Sequence, residues 1–508
     1  MRILHISDTH IGGALDFCKE ALDQTLEEVK RDKYDLIIHS GDLTQGGRRE
    51  QFIQAKEILS GIDIPYIVLA GNHDARSGGL SLFEEYIGPL DGVRDLGDAV
   101  VIYVNSAMED KDQGRMGMVK FNLMRKALND YSEKLIKIIA IHHHVIPIPM
   151  AGRERNVLYN AGDMLDIILK EDVDLVLSGH RHYPNIYQIE NTVFINAGTT
   201  SATKTRCGDV NSYNIIDIDQ KARKVRTIRI DGKTQAYSFP KREKRIFSDL
   251  GDRKFRAVHT ANTLISESRA FLKRNFTNAM DTIKGLEPDL MVHCGGIVKE
   301  GIAKDYDEAV SYLTELKFPI VYTPAGRDIN FLGYYLFPTY FGGIDQRFSN
   351  GKILFQGVSS AQYDSHEGIV GPSQRKVLLR KLRSPENLKA VFIHHNVLPI
   401  PHSREKGLLE DSGDLLRELV DAQIDLILTG TSSHPFAARV ENTIVVNANS
   451  LSSVYQRSIF GNSFNIIDIY EEAIAVFEVN SLWGRRRLLG IWERNKKQEN
   501  NTGGFLWP

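Results

Sequence analysis

Short apolar runs alternate with amphipathic segments along the first half of the chain. Arg2–Ser7, Asp35–His39 and Tyr66–Ala70 are continuous apolar runs, the pattern of central strands buried on both faces. An amphipathic helix is predicted near Leu15–Lys30 and another at about Arg49–Leu59. Further strands are predicted at Val100–Asn105, Ile136–Ile141, Leu175–Leu177, Val193–Ile195, Tyr213–Ile218 and Lys224–Ile230. Strands that alternate with helices define an α/β unit. The polar motifs of this half follow the C-terminal ends of strands, where open α/β sheets place their ligands.

The pattern then recurs. LHISDTH (4–10) is followed by VHTANTL (258–264), PYIVLAGNHD (65–74) by PIVYTPAGRD (319–328), IHHHVIPIP (141–149) by IHHNVLPIP (393–401), and ENTVFIN (190–196) by ENTIVVN (441–447). The offset is 254 from Asp8/Asn262 to Gly117/Gly371, 252 at His142/His394 and 251 from Asp174/Asp425 onward. Two short deletions account for that drift, so a tandem duplication is expected, with each copy long enough to bury its own core. The expected organisation is a domain over 1–238, a linker over 239–253, a second domain over 254–480 and a tail over 481–508. In the tail, LWGRRRLLGIW predicts a short docked helix, followed by disorder.

Composition changes this picture little. The chain has 508 residues, 42% hydrophobic and 25% charged, with a formal net charge of −2, so nothing overall draws it to nucleic acid or an anionic membrane. Basic clusters at Lys241–Arg245 and Arg485–Arg487 read as solvated linker and tail. Cys18, Cys207 and Cys294 are odd in number and lack CxxC spacing, which argues against a disulfide framework. MRILHISD enters a predicted strand at once and no apolar run approaches a membrane span, so neither a signal peptide nor a membrane anchor is expected. The expected location is cytoplasmic.

The chemistry lies in D-x-H, S-G-D, G-N-H-D, H-H-H and G-H-R-H, which together supply Asp8, His10, Asp42, Asn72, His142, His180 and His182. If these segments are extended, residues i and i+2 face one way, so Asp8 with His10 and His180 with His182 are expected to meet one cavity. Carboxylates, imidazoles and one amide oxygen suit Mn, Fe, Co or Zn. Seven such groups exceed the needs of one ion; two ions sharing a carboxylate fit better.

In this order, the motifs resemble the calcineurin-like metallophosphoesterases, and within them the class III cyclic nucleotide phosphodiesterase branch. The resemblance covers the first domain and implies an α/β fold: two tandem four-layer sandwiches, each with two packed mixed sheets flanked by helices. It implies that Asp8, His10 and His182 hold one metal, that Asn72, His142 and His180 hold a second, and that Asp42 bridges them. His143 is expected behind the ligands. The resemblance places His73 against the phosphate and the leaving oxygen, with Asp74 as its orienting partner and Asn72 also at the substrate. Arg181 is either a phosphate contact or solvent-facing. The expected reaction is attack on phosphorus by a hydroxide shared between ions roughly 3.5–4 Å apart.

At the matching positions the second copy has Asn262, Leu264, Gly296, Gly326, Arg327, Thr431 and Ser433, and keeps only His394 of the seven ligands. It is therefore expected to be a pseudo-enzyme domain that pairs with the first. His5 and His39 recur as His259 and His293, which assigns them to folding. The GRMG run (114–117) recurs in part as GIVG (368–371) and reads as a backbone turn requirement. Cys207 reads as a loop thiol. The leading function is hydrolysis of a small phosphodiester, cyclic nucleotides included. A phosphomonoesterase comes next and then a nuclease, which the absence of a broad basic stripe disfavours. A reading of another class is a regulatory or scaffold protein whose second domain binds a partner.

Overall fold

In the computed structural model all residues are described except 14, 153–156, 244–246, 248, 404–406 and 495–508. The chain divides into two compact units. Unit 1 comprises Met1–Glu243 and Val397–Glu418, and unit 2 comprises Lys244–Asn396 and Leu419–Pro508.

The strands of unit 1 are β1 (Arg2–Ile6), β2 (Leu36–His39), β3 (Tyr66–Val68), β4 (Gly92–Asp95), β5 (Ala99–Val104), β6 (Ile136–Ile141), β7 (Leu175–Ser178), β8 (Asn185–Ile189), β9 (Thr192–Asn196), β10 (Ser212–Ile218), β11 (Ala222–Arg229) and β12 (Thr234–Pro240). One sheet runs β12-β11-β10-β1-β2-β3. Within it β1, β2 and β3 are parallel, and β10 joins β1 antiparallel. The other runs β8-β9-β7-β6-β5-β4 in this unit, parallel from β9 to β5 with antiparallel strands on either side. Both sheets are thus mixed.

The apolar runs that predicted the strands fill the space between the sheets. Ile3, Leu36, Ile38 and Ile216 meet Val101, Ile138, Ala140, Leu177 and Ile195 in one buried cluster. Helices α1 (Lys19–Arg31) and α2 (Arg49–Ser60) cover the first sheet, with Phe52, Ala55 and Leu59 packed against Val68 and Ala70. The helix Met118–Asp130 lies against β5. The fold is mixed α/β, as expected.

Val397–Glu418 belongs to unit 1 by its contacts, although in sequence it falls between the two segments of unit 2. There the Met150 N–H donates to Asp414 Oδ1 at 2.7 Å, and the His402 N–H donates to Asp163 Oδ1 at 2.9 Å.

Unit 2 contains β13 (Phe255–Thr260), β14 (Leu290–His293), β15 (Ile320–Tyr322), β16 (Arg347–Ser349), β17 (Ile353–Gly357), β18 (Leu388–Phe392), β19 (Leu426–Thr429), β20 (Phe436–Val440), β21 (Thr443–Asn447), β22 (Ser463–Ile469), β23 (Ala473–Asn480) and β24 (Arg486–Glu493). They run β24-β23-β22-β13-β14-β15 and, in the second sheet, β20-β21-β19-β18-β17-β16. The strand order and the directions match those of unit 1.

Three expectations are corrected. The helix expected in LWGRRRLLGIW is the strand β24, paired antiparallel with β23. Its residues are largely exposed apart from Trp492, so the free hydrogen-bonding edge of β23 decides its state rather than its own pattern. The first helix starts at Lys19, because Phe17 is held in an isolated bridge to Ala202. β12 carries a strand past residue 238, into the expected linker. The disorder expected beyond residue 494 lies outside the described residues. Among the described residues no helix is long and apolar enough to cross a membrane.

Ile138 is fully buried between the sheets. Ile138→Ala should therefore destabilise unit 1 by about 2–5 kcal/mol, read as a fall in its urea unfolding midpoint.

Candidate metal centre

All seven predicted ligands converge in unit 1, beyond the C-terminal ends of β1, β2, β3, β6 and β7. They form two sets. In the first, His182 Nε2 lies 3.2 Å from Asp8 Oδ1 and 3.0 Å from His10 Nε2. In the second, Asn72 Oδ1 lies 3.1 Å from His142 Nε2 and 2.9 Å from His180 Nδ1. Asp42 stands between them, with Oδ2 at 3.8 Å from His10 Nε2 and Oδ1 at 3.4 Å from His142 Nε2. The ligand atoms of Asp8, His10 and His182 lie within 4.8 Å of one another, as do those of Asp8, Asp42 and His142, close enough to hold an ion.

The backbone aims these groups in a way the sequence did not anticipate. Asp8, His10, Asp42, His180 and His182 have φ of 53°, 51°, 54°, 78° and 53°. The D-x-H and H-R-H segments are therefore left-handed turns rather than extended chain, and the expected i, i+2 alternation does not apply. Non-glycine residues seldom occupy this region, and such backbone concentrates at functional sites.

A second layer of polar groups fixes the rings. His10 Nδ1 lies 2.6 Å from Gln45 Oε1, His142 Nδ1 lies 2.8 Å from the Ser40 carbonyl, and His182 Nδ1 lies 2.6 Å from the Lys204 carbonyl. Each ring thus turns its Nε2 toward the site, the arrangement that prepares a histidine for a metal. His143 is bound at both nitrogens, by Ser106 Oγ at 2.8 Å and the Asp112 carbonyl at 3.0 Å, which leaves it behind the ligands. Gly114 lets that ring in, since a Cβ there would meet His143 Cγ at 2.2 Å, and Gly368 does the same for His395. The GRMG glycine therefore serves close approach, not the turn expected.

The electrostatics favour positive charge. Burial drives the carboxyls of Asp8 and Asp42 up, yet the surrounding imidazoles outweigh it and hold both below the usual carboxylate range. Burial pushes His142 down, but Asp42 and Asp8 together reverse this and raise it to about 9. His182 is raised in the same way by Asp8 against its burial. Two buried carboxylates thus favour the protonated form of His142 and His182, while burial keeps His10 and His180 below the ordinary histidine range, and the carboxylates would draw metal cations to the same place.

Two catalytic expectations change. His73 lines the cavity, with Nδ1 on the Gln45 carbonyl at 2.8 Å and its N–H donating to Asp42 Oδ1 at 2.8 Å. Asp74 does not orient it. The Asp74 carboxylate accepts from the N–H groups of Leu43, Thr44 and Gly71, and so braces the loop that carries Asp42. Asp328 does this in unit 2 for Gly296, Val298 and Ala325. Its persistence there was the sequence signal for a folding role. Arg181 is buried rather than solvent-facing, lines the cavity and donates to the Ala151 carbonyl. Gln45, Asp112, Lys204 and Arg206 also line the cavity, and no motif marked them.

At the same places in unit 2 the charge is gone. Asn262 Nδ2 donates to the Gly430 carbonyl at 2.6 Å. His394 keeps a bond through Nδ1, to the Cys294 carbonyl at 2.6 Å, but burial lowers it to about 4, in contrast to His142. Among the described residues, every cluster of His, Cys, Asp or Glu close enough to share an ion lies in unit 1.

Residues 1–184 match the family model described as calcineurin-like phosphoesterase, and this part of the chain is a calcineurin-like metallophosphoesterase domain. Among curated proteins the chain is similar to a probable glycerophosphodiester phosphodiesterase GpdQ of Arcobacter nitrofigilis, 27% identical over 197 residues, covering 36% of this chain and 72% of that protein. It is similar to the 3′,5′-cyclic adenosine monophosphate phosphodiesterase CpdA of Pseudomonas aeruginosa, 25% identical over 189 residues, covering 35% of this chain and 69% of that protein. It also resembles the DNA double-strand break repair protein Mre11 of Methanosarcina acetivorans, 26% identical over 275 residues, covering 47% of this chain and 42% of that protein.

Two outcomes follow from this geometry. A Cβ on Gly71 would sit 2.1 Å from Asp42 Oδ1, so Gly71→Ala should displace that carboxylate and lower the bound Mn measured by mass spectrometry. In unit 2, burial lowers His259 and His293 to about 3, below the ordinary value near 6.5. The unfolded chain then binds more protons between those limits, so this stabilisation is full above about pH 6.5 and is lost as pH falls toward 3. The urea midpoint of unit 2 should fall between pH 6.5 and 4.5, and His259→Asn should flatten the slope.

Proposed function

We propose that unit 1 is a dinuclear metal-dependent phosphodiesterase acting on small phosphodiesters, and that the second half is a degenerate copy that has lost the metal site. The Asp42 carboxylate, which faces both ligand sets, carries the reading. The donor set fits borderline divalent ions such as Mn, Fe, Co or Zn: oxygen and imidazole ligands, with the rings pre-oriented and two buried carboxylates wanting positive charge. Asp8, His10 and His182 would hold one ion and Asn72, His142 and His180 the other, with Asp42 serving both. Ions held there would supply a nucleophile at neutral pH and would neutralise the phosphoryl oxygens.

His73 supplies what the ligands do not. Its Nδ1 is held by the Gln45 carbonyl, so Nε2 is the atom free to contact a phosphoryl oxygen or to hand a proton to the leaving alkoxide. The burial of the ligand side chains strengthens each of these interactions.

The relatives support a diester substrate, since two of them are named as phosphodiesterases. The matching strand orders support the degenerate copy, as do the left-handed residues Asn262 and Leu264 at the positions of Asp8 and His10. The three cysteines are free, which fits a reducing, cytoplasmic setting.

The test is a panel on Mn-loaded protein with bis(4-nitrophenyl) phosphate, 4-nitrophenyl phosphate, cyclic AMP and single-stranded DNA. The diesters should turn over fastest, with two Mn per chain. Asp42→Asn should abolish both the metal content and hydrolysis. His73→Ala should keep the metals and slow turnover by about 10²–10⁴-fold. Intact hydrolysis in Asp42→Asn would sink the dinuclear reading, and preferred cleavage of the DNA would favour the nuclease.

A further inference from the structure

The site opens into a cavity of about 650 Å³ whose charged lining is uneven. On the side of Asn72, Arg76 is paired with Asp112 at 3.1 Å, and Asp112 also accepts from Asn72 Nδ2 at 3.1 Å. That cation is already balanced. On the side of His182, the loop after β9 carries Lys204 and Arg206, which line the cavity together with Asp16, whose carboxylate accepts from Gln45 Nε2 at 2.9 Å. Neither makes an ion pair with a described residue. Lys204 is anchored there because its carbonyl holds His182 Nδ1 at 2.6 Å. Two unpaired positive charges therefore stand beside the ligand set of Asp8, His10 and His182.

The phosphoryl group under attack has no need of them, since it would sit at the ligands and His73. In the second half, at the constant offset of 251, Tyr455 stands where Lys204 does, so this cation disappears together with the ligands; Arg457 stands opposite Arg206. Lys204, unpaired, lining the cavity and lost with the ligands, meets what is expected of a substrate contact; Arg206 joins it by its place in the same lining.

We infer that Lys204 and Arg206 form a subsite for a second anionic group. The substrate class is then a linear phosphodiester in which one alcohol bears a further phosphate, rather than a cyclic mononucleotide or a diester of neutral alcohols. This rests on the phosphodiesterase reading above. In the step itself, water adds to the diester phosphorus, the bond from phosphorus to the alcohol oxygen breaks, and a proton reaches that oxygen. The products are a phosphomonoester and a free alcohol.

Two dinucleotides test it: ApA, with a free 5′-hydroxyl, and pApA, with a 5′-phosphate. The Mn-loaded wild type should show a kcat/KM about tenfold higher for pApA, and added salt should erode the difference, as screening requires. The double variant Lys204→Ala/Arg206→Ala should bring that ratio down to about one, at unchanged Mn content, because the Lys204 carbonyl remains to hold His182. Lys204→Ala alone should account for the larger part. Calorimetry in a His73→Ala background, where turnover is slowed, reads binding: pApA should bind about tenfold more tightly than ApA, and the double variant should remove that gap. A ratio near one in the wild type, or one unmoved in the double variant, overturns the subsite. A wild type that hydrolyses none of the diesters overturns the phosphodiesterase reading instead, and calorimetry of the two dinucleotides still decides the subsite.

Discussion

Two buried carboxylates organise the first unit. Asp8 and Asp42 have lost essentially all contact with water. Removing an ion from water costs several kcal/mol even after the protein relaxes, roughly, unless other charges and hydrogen bonds compensate. Compensation comes from every side. The His180 N–H donates to Asp8 and the His73 N–H to Asp42, and His142 and His182 take up protons under the influence of the two carboxylates. A site that concentrates negative charge this way favours cations, and its side chains are close enough together that they could hold a metal ion.

The second unit shows what the scaffold does without that charge. Asn262 and Gly296 stand at the positions of Asp8 and Asp42, and His394 is neutral where His142 is cationic. Yet the left-handed backbone survives at Asn262 and even at Leu264, a side chain ill suited to it. Asp328 still braces the loops as Asp74 does, and Gly368 still makes room for His395. These features belong to the fold. The strained turns are held by the sheet ends and the loop brace, so they persist where no ligand needs them.

Much of this was legible in the sequence. The central strands could be read because parallel strands buried on both faces need continuous apolar runs. The ligands could be read because each sits in a short motif after such a run. The peripheral strands could not: β4 and β12 are largely exposed or half-buried and carry no apolar run, and the short apolar stretch of β24 fits a helix as well as a strand, so each is decided by the edge a neighbour offers. Asp74 was misassigned by its adjacency to His73, although its retention as Asp328 was visible. Nothing in the sequence assigned Val397–Glu418 to unit 1, because that grouping depends on contacts between residues far apart along the chain.

The sequence by itself determined the α/β character, the seven converging Asp, Asn and His side chains and the different residues at six of the matching positions in the second half, since each is a matter of residue identity at the end of an apolar run. Only the tertiary structure decided how those ligands are presented. It set them on left-handed turns, locked the rings through Gln45, Ser40 and Lys204, and gathered Lys204 and Arg206 over one cavity. The reason is that local pattern records what a residue is and which face of a strand it occupies, whereas ring orientation and charge balance depend on partners that the fold brings in from distant parts of the chain.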